Sequence, residues 1–80
     1  INLSKNLNIE EVLKKLSKKF VSEKQILIDG LKIDFKEKWI HLRKSNTEPI
    51  IRIYSEAKSK EIAIQLVEEM KTHVYSIINQ

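Results

Sequence analysis

Two arginines bracket a short run of small hydrogen-bonding residues, Arg43-Lys44-Ser45-Asn46-Thr47-Glu48-Pro49-Ile50-Ile51-Arg52. Such a run suits a doubly charged tetrahedral anion. An arginine offers parallel N–H donors to two phosphate oxygens. Ser45 and Thr47 supply hydroxyl donors, Asn46 an amide donor, and the backbone its own N–H groups. Pro49 fixes its ring dihedral and drives Glu48 toward an extended conformation, so regular structure should resume at Ile50. Arg43, Ser45, Asn46 and Thr47 are the candidate phosphate contacts. Glu48, a like charge, belongs behind them as loop support. Arg52 either orients the loop through Glu48 or meets the ligand itself. On composition alone, the favoured reading of the same residues is an Arg pair bridged to Glu48 and Glu56 around a polar turn.

Other chemistry finds little support. Ser45 lacks a local base of the kind nucleophilic catalysis needs, and His41 lies four residues back on a strand. His41 and His73 stand apart with no ligand-like spacing, so no metal site is expected. No residue is expected to be catalytic.

The elements that must carry the run follow from periodicity. Ile1 to Lys5 reads as a short first strand. Asn8 is a good N-cap, with Glu11 three residues on and Leu7 and Val12 placed for a hydrophobic staple. Ile9, Val12, Leu13, Leu16 and Phe20 follow at helical spacing, which predicts a helix to about Lys19. Val21 to Gln25 reads as a polar connection. Ile26-Leu27-Ile28 is a short apolar run that ends at the turn signal Asp29-Gly30. Leu31, Ile33 and Phe35 alternate with polar residues as in a half-buried strand. Glu37-Lys38 reverses the chain, and Trp39 to Arg43 returns. Ile50 to Ser55 is a further strand. A long helix should run from about Ser59, its cap, to Ser76. Its buried stripe is Ile62, Ala63, Leu66, Val67, Met70, Val74 and Ile77, and the tail from Ile78 to Gln80 is expected to fray.

The order is thus β-α-β-β-β-α in an α+β fold. An antiparallel sheet of about four strands with both helices on one face buries every apolar stripe. Alternation then turns Ile40, Leu42, Ile51 and Ile53 toward the helices. Trp39, His41 and Arg43 face away from them, as do Ile50, Arg52 and Tyr54.

Composition limits the partners. Eighty residues make a single domain, 1–80, with one modest core. The chain has a net charge of +4, but Lys14, Lys15, Lys18 and Lys19 fall on the outer face of the first helix. No aromatic interleaving or nucleic-acid motif accompanies them, so nucleic acid is not an expected partner. No stretch is apolar enough to cross a membrane. The absence of Cys excludes a disulfide scaffold and fits a reducing, cytoplasmic setting. The chain starts at Ile1, which reads as a piece of a longer protein.

The run from Arg43 to Pro49, with Arg52 and Glu56, resembles the phosphate-binding loop in the last domain of the α-D-phosphohexomutases. Asp29-Gly30-Leu31-Lys32-Ile33-Asp34-Phe35 is similar to the Asp-Gly-hydrophobic strand before that loop, and Tyr54-Ser55-Glu56-Ala57 to the segment after it. The resemblance turns the reading of Arg43, Ser45, Asn46 and Thr47 toward phosphate. It implies a substrate-phosphate-binding C-terminal domain of a phosphoglucomutase/phosphomannomutase. Ser-Asn-Thr suits that branch, because phosphoglucosamine mutases more often have Gly where Asn46 stands. The same domain of a phosphoglucosamine mutase is the alternative. A non-catalytic module for nucleic acid or another polyanion is the alternative of another class. The implied partners are a phosphorylated hexose and the other domains of the parent chain. The implied phosphoserine loop, Mg²⁺ loop and sugar-selecting loop match nothing in this sequence, so the domain alone is expected to be inactive, with Mg²⁺ held elsewhere in the full-length enzyme.

Overall fold

Helix α1 (Ile9–Lys19) starts where its capping signal stands: the Asn8 side chain accepts the Glu11 N–H at 3.2 Å. Glu10 and Glu11 occupy its first turn and Lys18 and Lys19 its last, which complements the helix dipole at both ends. The architecture comes from a computed structural model that describes residues 8–45 and 50–79. The first strand expected over Ile1–Lys5, and the staple residue Leu7, lie outside the described residues.

Four strands follow α1: β1 (Lys24–Ile26), β2 (Leu31–Phe35), β3 (Lys38–Lys44) and β4 (Ile51–Glu56). They pair antiparallel in chain order, β1-β2-β3-β4. Helix α2 (Lys60–Ile78) closes the fold, capped by the Ser59 hydroxyl, which accepts the Ile62 N–H. The α+β class and the antiparallel sheet of four strands agree with the sequence reading. The order differs. Among the described residues it is α-β-β-β-β-α, and the fourth strand follows α1.

That strand lies partly in the segment read as a polar connection. Gln25 explains the shift. Its amide donates to the carbonyls of Ser17, at 3.0 Å, and Phe20, and it shares a further bond with the Ser17 hydroxyl. Both carbonyls already accept a backbone N–H, from Phe20 and Glu23, so Gln25 adds a second donor to each and ties β1 to the end of the helix. The apolar run is correspondingly displaced: Leu27 and Ile28 are 69% and 74% exposed in the turn before β2.

The core lies between the sheet and the two helices. Leu31, Ile33, Ile40, Leu42 and Ile51 meet Val12, Leu13 and Leu16 of α1 and Leu66, Met70 and Val74 of α2. Phe20 sits at its edge, edge-on to Phe35 and to His73 at 5.9 and 5.1 Å. Two details of α2 depart from expectation. Ile62, assigned to the buried stripe, is 39% exposed in the first turn. Ile77 is buried and Ile78 packs against the core, which holds the helix through Ile78, where fraying was expected.

Candidate functional site

Strand register decides which side chains can act together. Arg43 of β3 stands directly across from Arg52 of β4, His41 across from Tyr54, and Trp39 across from Glu56. Alternation puts these six on the sheet face away from the helices; the sequence reading expects this of Trp39, His41, Arg43, Arg52 and Tyr54. The opposite face carries Ile40, Leu42 and Ile51 into the core, with Ile53 packed against it.

Both Arg43 and Arg52 are exposed. Two like charges directly opposite each other on neighbouring strands repel. Among the described residues, no carboxylate relieves them. The ion pairs formed there lie elsewhere: Lys32–Asp34, Lys44–Glu10, Lys58–Glu37 and Lys71–Glu68. Glu56 stands beside neither arginine in register, so the Arg–Glu56 bridge that composition allowed does not form. Lys44 faces the helix side and reaches Glu10 only at 3.9 Å, with both side chains well exposed.

Ser45 extends the ladder one step past β3: its N–H donates to the Ile50 carbonyl at 3.1 Å. Ser45 itself is buried. The structure therefore brings Arg43, Ser45, Ile50 and Arg52 together at one end of the β3–β4 hairpin. The other expected contacts, Asn46 and Thr47, and the expected support residue Glu48 lie outside the described residues. Among the described residues, no group of three or more His, Cys, Asp or Glu could hold a metal ion.

Two features behind the arginines carry no signal in the run itself. Gly30 lies next to Arg43 across the β2–β3 ladder and has φ +109°. A Cβ there would come within 2.2 Å of the Leu42 carbonyl oxygen and 3.2 Å of the Arg43 Cα. The other feature is an open hollow along the edge that β4 forms among the described residues, lined by Ile50, Arg52, Tyr54 and Lys71. Lys71 comes from α2, so only the fold brings it beside Arg52.

Residues 2–73 match the family described as phosphoglucomutase/phosphomannomutase, C-terminal domain. The chain is similar to a phosphoglucosamine/phosphogalactosamine mutase of Sulfurisphaera tokodaii, 47% identical over 73 residues, 89% of this chain and 16% of that protein. It is 40% identical over 72 residues to a probable phosphoglucosamine mutase of Pyrococcus abyssi, covering 90% of this chain and 16% of that protein. A phosphomannomutase of Methanocaldococcus jannaschii is 37% identical over 60 residues, 75% of this chain and 13% of that protein. The chain thus spans about a sixth of the length of the relatives it matches.

Proposed function

The chain belongs to the phosphoglucomutase/phosphomannomutase C-terminal domain family, and on that premise we propose that it holds a phosphate of the sugar substrate in a phosphohexomutase. The observation that carries the reading is the cross-strand pair of Arg43 and Arg52, both exposed and without a carboxylate partner among the described residues. A bound dianion offsets the repulsion that the pair otherwise suffers. Arg43 grips two phosphate oxygens, and Ser45, Asn46 and Thr47 complete the cradle. Arg52 adds a second positive charge on the same face, and Glu48 steadies the loop.

In this reading residues 1–80 form one domain at the C-terminal end of a longer chain. Phosphoryl transfer belongs to the rest of that chain, and this domain has no step of its own in the chemistry. It holds the phosphate that is not reacting. Binding energy collected there positions the reacting hydroxyl. Closure over the sugar keeps water from the phosphoryl group. The activity is that of an isomerase, and the setting is cytoplasmic.

The substrate class is a hexose phosphate. Asn46 favours the glucose and mannose branch. The names of the relatives from Sulfurisphaera tokodaii and Pyrococcus abyssi bring the amino-sugar branch forward beside it. A phosphate grip common to both branches leaves the choice of sugar to residues outside this chain.

Magnitudes explain why the domain works with partners. A charge-assisted hydrogen bond contributes about 1.5–3 kcal/mol. Several must offset an association cost of about 4–15 kcal/mol. The chain by itself should bind glucose 1-phosphate with a dissociation constant on the order of millimolar or weaker. Titration at two salt concentrations tests the reading. One small anion should saturate the site with perturbations at Arg43 to Thr47. Binding that instead grows with nucleic-acid length and falls steeply with salt would favour a polyanion module.

A further inference from the structure

Arg43 can grip in register only if its backbone is held, and the structure shows what holds it. Just before β2 the chain makes a left-handed bend: Asp29 has φ +55° and Gly30 φ +109°. This bend lies flat on β3. Only a residue without a Cβ can lie there, because the Leu42 carbonyl oxygen would be 2.2 Å away from one. Asp29 takes a left-handed conformation, which Asp adopts more readily than most residues but still at a cost that a neighbouring hydrogen bond offsets. His41 supplies one: its Nε2 lies 3.0 Å from the Asp29 carbonyl oxygen. A carbonyl only accepts, so Nε2 must carry the proton. His41 stands two residues from Arg43 on the same strand and the same face. Lys32 and Tyr54 flank it across the two ladders.

We infer that His41 is a positioning residue for Arg43: by latching the Asp29–Gly30 bend onto β3, it fixes the backbone from which Arg43 reaches for phosphate. This role rests on the phosphate-holding reading above. His41 touches no ligand in it. Its donor is what counts, so a side chain that places an N–H where Nε2 stands should replace it. The amide of glutamine does this. Leucine fills similar space without a donor.

The test is NMR titration of the 80-residue chain with glucose 1-phosphate, for the wild type and for His41→Gln, His41→Leu and Arg43→Ala. Wild-type His41 should show the Nε2–H tautomer. His41→Leu should bind about three- to tenfold more weakly, the worth of one hydrogen bond, with amide shifts moved at Asp29, Gly30 and Arg43. His41→Gln should bind within about twofold of wild type, as expected when the donor is restored. Thermal melts establish that each variant is folded. If His41→Leu does not fold, the tautomer and His41→Gln decide. An Nδ1–H tautomer, glutamine binding as weakly as leucine, or leucine binding as well as wild type would each overturn the role. Loss of binding in Arg43→Ala alone would overturn the His41 role and leave the phosphate reading standing. Wild-type binding in Arg43→Ala would remove both.

Discussion

Arg43 carries the most weight of any residue in this account, because its guanidinium is the group best shaped for two phosphate oxygens. In the full-length phosphohexomutase proposed above, Arg43→Ala should lower kcat/KM by about 2–4 kcal/mol while far-ultraviolet circular dichroism stays unchanged. Arg43→Lys should also be impaired, since an ammonium keeps the charge but loses the two-pronged grip. Arg43 could be nominated from the sequence because the signal is local: donors of the right type at close spacing, ended by Pro49. What stands behind Arg43 could not. The Asp29-Gly30 pair reads as a turn, but its seat against Leu42 and Arg43 exists only once β2 and β3 pair. Gly30→Ala combines a left-handed backbone with a backbone overlap. It should destabilise the chain by at least about 1–3 kcal/mol, measured by denaturant unfolding. The opposition of Arg43 and Arg52 was half legible. Alternation put both on one face, and the register that sets them side by side came from the fold.

Elements with local punctuation were read well. Asn8 and Ser59 cap their helices as expected, through bonds three residues long that sequence alone can specify. Asn8→Ala should therefore cost about 1 kcal/mol, read as a lower denaturation midpoint. Strand β1 was missed for the opposite reason. Its position depends on Gln25 reaching back to Ser17 and Phe20, a contact between elements that leaves no periodic trace. Removing that amide by Gln25→Ala should cost about 1–3 kcal/mol, because it takes away two part-buried hydrogen bonds worth about 0.5–1.5 kcal/mol each. The same measurement on Glu10→Gln should move the midpoint little, since the exposed Lys44–Glu10 contact spans 3.9 Å. The α2 boundary shows the same division. Ser59 marked its start, whereas burial of Ile77 decided its end.

At the scale of the whole molecule, the described residues form a sheet covered on one side. Its helices bury one face, and the other presents Trp39, His41, Arg43, Arg52 and Tyr54. In a chain that spans about a sixth of its relatives' length, such a face suits a cleft shared with the rest of the protein. The core is correspondingly modest. Leu16, fully buried between helix and sheet, should cost about 2–5 kcal/mol when cut to alanine, a large part of the stability of so small a fold. A thermal melt of Leu16→Ala reads this directly. Binding should also behave as a property of one corner rather than of the basic chain as a whole, with Lys14, Lys15, Lys18 and Lys19 on the outer face of α1 taking no part. The measurement that goes straight to this point is an amide-resolved NMR titration of the chain with a hexose 1-phosphate. Saturating shifts centred on Arg43 to Thr47 and Arg52, abolished by Arg43→Ala, are the result predicted. Shifts spread along the α1 lysines, or a loop that does not respond while the sugar phosphate reaches high millimolar concentration, would contradict it.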